Sequence, residues 1–421
     1  MTTDLQSLDL DAWLARIEAC HPAEIDMGLD RLQQVAARLP LDLSCSFKIV
    51  IGGTNGKGST LAMLDAILSR AGYTTGSYSS PHLLRYNERI CIAGQPIDDQ
   101  TLCQAFVLIE QARGDIPLTY FEYGTLAALL IFSERKVEVA LLEVGLGGRL
   151  DAVNIVDADI ALVTTIALDH TDWLGPDLES IGREKAGIFR AGAPALCGDP
   201  EPPASLVNHA HTLGVALEVQ GIDFSYQLDS QCWCWQGKGV RLEHLPRPVL
   251  PLPNAALVLA ALQHLPRPVP EQAIREGLAQ VRLRGRMQPV RLGSIAATVD
   301  VAHNPEAAGY LARWLAEHPV DGQVHLLLGM LADKDVDAVV QVLAPVIDIW
   351  HPVSLDVHRG ARRERLETAL QAAGVTAQQI RGADSVGAAV ESLQSMPAHD
   401  RLLIAGSFFT VAQALELAQE E

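Results

Sequence analysis

The run Lys48-Ile49-Val50-Ile51-Gly52-Gly53-Thr54-Asn55-Gly56-Lys57-Gly58-Ser59-Thr60 holds the residues of this chain best suited to chemistry. A short apolar stretch enters a glycine-rich turn with one lysine and two adjacent hydroxyls, and an amphipathic pattern follows from about Leu61 to Arg70. Glycines let backbone N–H groups close on a polyphosphate, and a helix N-terminus adds partial positive charge at the same point. Thr54, Asn55, Gly56 and Gly58 supply the cradle. Lys57 suits the outer phosphates, and Ser59 or Thr60 can reach Mg²⁺ directly or through water. The spacing departs from G-x-x-x-x-G-K-[ST]: Gly53 to Gly56 is tighter, and Gly58 separates the lysine from Ser59. The strand–turn–helix order still reads as an ATP site rather than as a glycine turn capping an ordinary helix.

Two further groups sit where a phosphate site would use them. Val137–Glu143 is a strand-like run ending in a carboxylate, the arrangement many ATPases use to hold Mg²⁺ or polarise a water. Asp159–Ile166 is another such run, followed by Asp169-His170. Either residue alone has a bland explanation, a solvated strand-end acid or a loop histidine. With the glycine loop they place an acid and an imidazole at the ends of neighbouring strands, and both are expected as metal ligands. Ser80 can add a hydroxyl to the metal, although a turn serine before Pro81 explains it equally well.

Short β-rich runs separated by helical patterns imply a mostly parallel sheet covered on both faces. In such sheets ligands bind beyond the carboxyl ends of the strands. Residues 76–97 form a polar segment with a short strand at about Arg89–Ala93, and long irregular loops of this kind are often functional. Thr119 and Glu122 have capping-box spacing before an apolar helix, which explains both without function, while Phe121 offers a flat surface to an aromatic ligand. Residues 221–250, with Tyr226, Trp233 and Trp235, read as a small β-meander. Asn254 is placed to cap the helix Asn254–His264. After Arg284-Gly285-Arg286 the alternation restarts, with strands expected at Ile295–Val301, Val324–Leu328, Val346–His351 and Leu402–Ala405. The fold expected is α/β: a P-loop-type, mostly parallel sheet domain with a β-meander over 1–285, then a Rossmann-like α/β domain over 286–421. At the start of the second, Asp300-Val301-Ala302-His303-Asn304-Pro305 offers Asp300 and His303 to a ribose or base, and Arg286 to phosphates.

Composition sets the class. A chain of 421 residues, 48% hydrophobic, exceeds the usual size of one domain. A net charge of −19 argues against a nucleic-acid groove or an anionic membrane surface as the main partner, so basic groups for anionic substrates must be local. Arg85, Arg89, Arg149 and Arg286, all in or beside glycine-rich or polar loops, are the candidates. The seven cysteines show no metal-ligand spacing and are expected as free thiols. No signal peptide or bilayer-length apolar run is evident, so the expected location is the cytoplasm.

Gly53–Ser59, Ser79-Ser80-Pro81-His82-Leu83, Glu143–Ala152, Arg183-Glu184-Lys185-Ala186-Gly187-Ile188 and Asp300–Pro305, in that order, resemble the motifs of the Mur-ligase superfamily, and within it the bacterial dihydrofolate synthase/folylpolyglutamate synthase family. The resemblance spans residues 25–410. It implies ATP-dependent addition of L-glutamate to 7,8-dihydropteroate, giving dihydrofolate, and to reduced folates, giving polyglutamates, by a monomer. By resemblance Ser80, Glu143 and His170 bind Mg²⁺, and a carbamylated Lys185 assists a second Mg²⁺. From the residues alone Lys185 is a helix lysine paired to Glu184 or Asp169. A monovalent cation such as K⁺ is a further expected cofactor. Asn254, Arg286, Asp300 and His303 would line the ATP site, and Met27, Ser80, Arg85, Thr119, Phe121, Leu150, Asp151 and Ala152 the dihydropteroate pocket. The proline-rich stretch before Asn254 lacks the His-Gln pair of many related ligases. Two other readings are a Mur-type ligase acting on a UDP-sugar peptide, and a nucleotide-dependent switch ATPase.

Overall fold

The computed structural model describes residues 5–21, 26–229 and 232–418. The chain divides into two units, Met1–Val281 and Arg282–Glu421, slightly before the boundary the sequence suggests. The first unit carries β1 (Phe47–Gly52), β2 (Thr75–Tyr78), β3 (Ile90–Ile92), β4 (Gln95–Pro96), β5 (Val139–Glu143), β6 (Ile160–Val163), β7 (Ala195–Cys197) and β8 (Leu217–Val219). They form one sheet in the order β4-β3-β2-β5-β1-β6-β7-β8. Pairing is parallel from β2 to β8, while β3 and β4 add antiparallel at one edge.

The central strands are continuous apolar runs because both faces are covered. Every residue of β5 and β6 is buried. The helix Tyr120–Arg135 is buried from Glu122 through Phe132, so it has no solvent stripe; the helix Leu252–Leu262 is likewise closed on nearly all sides. Each fully buried Leu, Ile or Phe in these elements contributes about 1.5–3 kcal/mol relative to exposure. The residues before Leu252 turn the chain with Pro251 as N-cap, and Asn254 lies inside the first turn, not at the cap expected for it.

Three antiparallel strands, β9 (Phe224–Leu228), β10 (Cys232–Gly237) and β11 (Val240–Pro246), form the meander. Its buried indoles are satisfied: Trp233 Nε1 donates to Pro246 O at 2.9 Å and Trp235 Nε1 to Ala256 O at 3.0 Å.

The second unit is a five-stranded sheet in the order β12-β13-β16-β14-β15, comprising β12 (Gln288–Leu292), β13 (Ile295–Asp300), β14 (Val324–Leu328), β15 (Ile349–Pro352) and β16 (Arg401–Ala405). All pairs are parallel except β12 with β13. Among the described residues no helix is long and apolar enough to cross a membrane.

Candidate active site

The glycine loop leaves the C-terminal end of β1, between β5 and β6. Register pairs Ile51 with Glu143 and Gly52 with Val163, so three strands end together around it. The following helix begins at Lys57 itself, earlier than the Leu61 expected from periodicity, so its first turn is part of the loop. Gly53 has φ +137°, and a Cβ there would fall 1.8 Å from Thr164 Oγ1. Gly56 is left-handed at φ +88°, and a Cβ there would lie 2.6 Å from both amide atoms of Asn254. Asn254, 5% exposed, is thereby brought against the loop from the helix Leu252–Leu262. Lys57 Nζ donates to Gly53 O at 3.0 Å and Thr54 O at 3.1 Å, folded over its own turn. Ser59 is buried at the helix start, and the fully buried Thr60 hydroxyl has no hydrogen-bond acceptor.

The segment after β6 is stitched to this loop. Thr54 N–H donates to Thr165 O at 2.7 Å, Asn55 N–H to Thr165 Oγ1 at 3.2 Å, and Ala167 N–H to Thr54 Oγ1 at 3.0 Å. The stitching carries the chain to His170, which is left-handed (φ 51°, ψ 39°), receives no glycine relief, and starts the short helix Thr171–Leu174. A histidine held in this region is unusual and marks a position set by its surroundings. Its backbone N–H donates to Asp169 Oδ1 at 2.9 Å, and its side chain stays 42% exposed.

Glu143, 5% exposed, ends β5, and its Oε2 accepts the Ser80 N–H at 3.4 Å. Ser80 enters a cis bond to Pro81. Lys185 is 3% exposed in the helix Leu178–Ala186; its neighbour Glu184 is bound by Arg149 at 2.8 Å. Among the described residues no three His, Cys, Asp or Glu side chains gather closely enough to hold an ion alone. Glu143 beside the Ser80 segment is an oxygen-donor set of the kind that suits Mg²⁺, which takes one or two carboxylates, keeps waters and shares substrate phosphates.

Beyond Ser80 lies a cavity of about 260 Å³ lined by Met27, Ser80, Pro81, Arg89, Thr119, Tyr120, Phe121, Leu146, Leu150, Asp151 and Ala152, among others. Thr119 serves it while also acting as N-cap: its Oγ1 accepts Glu122 N–H at 3.2 Å, and Glu122 Oε2 accepts Thr119 N–H at 2.7 Å. The Phe121 ring packs on Gly145, where a Cβ would come within 2.6 Å of it. Asp151 is 4% exposed and caps the turn Ala152–Ile155. Burial pushes its carboxyl up to about 6, against backbone N–H groups of Leu146 at 2.9 Å and Val153 at 3.0 Å and the charge of Lys57.

Arg85 does not line this cavity. Its side chain is 68% exposed and pairs with Asp99 at 3.0 Å. Arg89, four residues on, does line it, and its sequence signal was only that of a basic residue in a polar loop. Tyr120 and Leu146 also line it, and neither carries a local signal beyond an aromatic beside a capping box and a leucine in a glycine-rich turn.

In the second unit Asp300 closes β13, accepts the N–H groups of Met287 and Ala302 at 2.9 Å each, and has its carboxyl raised by burial against the pull of Arg286. Arg286 Nη1 lies 4.0 Å from Asp300 Oδ1, and its guanidinium 5.6 Å from the Phe408 ring. The His303 ring is 6.4 Å from the same phenyl. Phe408 escaped the sequence reading, although β16–Gly406–Ser407–helix is a strand-end signal of the kind that picked out Asp300.

Comparison with known proteins meets this geometry. Residues 51–195 match the Mur ligase middle domain, and residues 285–408 the Mur ligase glutamate ligase domain. The dihydrofolate synthase/folylpolyglutamate synthase of Escherichia coli (strain K12) is 47% identical over 409 residues, covering 97% of this chain and 95% of the relative. The chain belongs to the dihydrofolate synthase/folylpolyglutamate synthase family of Mur ligases. The E. coli FolC structure in complex with DHPP and ADP superposes with a TM-score of 0.93 at 46% identity over 98% of each chain. A bifunctional folylpolyglutamate synthase/dihydrofolate synthase from Yersinia pestis CO92, complexed with AMPPNP and Mn ion, superposes with a TM-score of 0.90 at 43% identity over 99% of each. Family membership makes this chain an acid–amino-acid ligase.

Proposed function

We propose that the chain joins L-glutamate to 7,8-dihydropteroate, forming dihydrofolate, and to reduced folates, forming polyglutamates, with ATP as the energy source. The observation that carries this reading is the adjacency of three parts: the phosphate loop, Glu143 with Ser80, and a cavity with an aromatic wall and the buried acid Asp151. The pocket with its aromatic wall suits a flat heteroaromatic acid, and Asp151 when ionised accepts from ring N–H groups.

A carboxylate is a poor electrophile, so its oxygen first attacks the γ-phosphorus of ATP, releasing ADP and leaving an acyl phosphate. The glutamate amine then attacks the carbonyl carbon, loses a proton, and phosphate departs. Such chemistry asks for positioning and charge neutralisation, not a protein nucleophile. Lys57 turns its ammonium from the carbonyls of Gly53 and Thr54 to the outer phosphates, with the loop amides of Thr54–Ser59 around them. Asn254 buttresses the loop and reaches the nucleotide. In the second unit Arg286, Asp300 and His303 are the nucleotide-binding candidates. Ser80, Glu143 and His170, with Ser59, would hold one Mg²⁺ and carbamylated Lys185 a second; bound there, the ions neutralise phosphate charge. K⁺ is a further cofactor of the proposal. Met27, Thr119, Phe121, Leu150, Asp151 and Ala152 form the pterin pocket, and Arg85 is withdrawn from it. The enzyme works as a cytoplasmic monomer on small molecules.

ADP release with Mg²⁺-ATP and L-glutamate, adding dihydropteroate, tetrahydrofolate or neither, tests the reading. Turnover with both acids supports it. Turnover with tetrahydrofolate alone restricts the enzyme to chain extension, and hydrolysis without either acid would point to an ATPase switch.

A further inference from the structure

Arg89 stands apart from the other enclosed arginines of the first unit. It ends the turn Tyr86–Arg89, is only 9% exposed, and lines the cavity. Arg31, Arg113 and Arg190 each hold a carboxylate, at 3.1 Å from Glu122, 2.7 Å from Glu110 and 2.6 Å from Asp157. Among the described residues no carboxylate pairs with Arg89. Its Nε–H donates to His82 Nδ1 at 2.8 Å, and its guanidinium lies 5.3 Å and 5.4 Å from the Tyr86 and Tyr120 rings.

Those neighbours hold the group without satisfying it. His82 uses its lone pair on Nε, which fixes the plane of the fork. The aromatic faces favour a cation but leave the Nη donors without an oxygen. The Nη donors face the cavity and its solvent, so a group that enters there can replace water as their acceptor.

Resting on the proposed pteroate substrate, we infer that Arg89 is a specificity residue whose Nη–H fork binds an sp² oxygen of the bound pteroic acid. That molecule carries two such groups, the ring carbonyl and the carboxylate. The aromatic walls keep the fork in the cavity, and His82 sets its orientation.

The test is calorimetric titration of the wild type, Arg89→Met and Arg89→Lys with three compounds: dihydropteroate, its analogue with an amino group replacing the ring carbonyl, and its analogue with hydrogen replacing the carboxylate. Nucleotide affinity and Tm are measured alongside. Arg89→Met is expected to bind dihydropteroate about 10- to 100-fold more weakly, the loss of a charge-assisted hydrogen bond, with nucleotide affinity unchanged. Arg89→Lys, which keeps charge without the fork, falls between. The loss disappears for whichever analogue lacks the recognised oxygen, which identifies the group. Equal losses for all three compounds would reduce Arg89 to packing and overturn the inference, as would no loss for any. A wild type that binds nucleotide but not dihydropteroate would instead remove the substrate reading beneath it.

Discussion

Replacing Gly56 by alanine isolates how the phosphate loop is held. Its φ of +88° is a left-handed conformation that costs a side-chain-bearing residue about 1–2 kcal/mol. The new Cβ would stand 2.6 Å from Oδ1 and Nδ2 of Asn254 and 2.9 Å from its Cγ. Favourable contact begins near 3.5 Å, so the amide must retreat by about 1 Å. Asn254 lies in the first turn of a helix buried on nearly every side, so the retreat is made by twisting its side chain off a rotamer, at about 0.5–1.5 kcal/mol. Together the two costs come to about 1.5–3.5 kcal/mol, which in a unit of this size lowers Tm by about 3–6 °C.

Nucleotide handling should suffer more than stability, because a misplacement of about 1 Å at a phosphate site can cost about 100-fold in rate. The assay is a thermal scan paired with ADP release, reading KM for ATP and kcat separately. Asn254→Ala should raise KM for ATP with little loss of Tm. The double variant Gly56→Ala/Asn254→Ala should be less destabilised than the sum of the singles, since the clash is gone while the left-handed cost remains. Wild-type Tm and KM in Gly56→Ala, or strict additivity in the double variant, would refute the account of the loop.

Three other outcomes follow from the same geometry. Lys57→Ala should abolish ADP release while leaving Tm near wild type, because the Nζ bonds to Gly53 O and Thr54 O close only on its own turn; full turnover would remove the loop from the mechanism. Asp151, with its carboxyl held at about 6 against 3.8 unperturbed, favours folding when protonated, so its stabilising share is present below about pH 3.8 and is lost as pH rises through about 6. Dihydropteroate affinity should move the other way, weakening below about pH 6, and a flat KM profile for the acid would exclude an ionised Asp151 from recognition. Glu110 is buried, yet Arg113, Tyr123 and Arg16 outweigh that burial and hold its carboxyl at about 2 against 4.5, so its stabilisation is complete above about pH 4.5 and lost as pH falls toward 2. Glu110→Gln should cost about 2–3 kcal/mol and flatten that acid limb in urea titrations; an unchanged limb would place the acid sensitivity elsewhere.

How much of this was legible depended on whether a signal was local. The strands were legible because a parallel sheet buries both faces, leaving runs such as Val139–Glu143 with no polar interruption. The loop was legible because its glycines, lysine and hydroxyls are contiguous. Glu143 and His170 came from counting along strand ends, and the register that sets Ile51 beside Glu143 and Gly52 beside Val163 gives that count its spatial meaning. Local reasoning failed where one residue faces a distant one. Asn254 looks like a cap, but Pro251 takes that position and Asn254 is turned inward against Gly56, a pairing that no window around either residue contains. Arg85 and Arg89 are equivalent in sequence, two arginines of one polar loop. Asp99 lies within 3.0 Å of the first and draws it outward, while His82 and two tyrosine rings hold the second in the cavity. The choice between them is made by what surrounds each cation after folding: Asp99 engages Arg85 at the surface, and Arg89, lining the cavity without a carboxylate partner, is the one a substrate can engage.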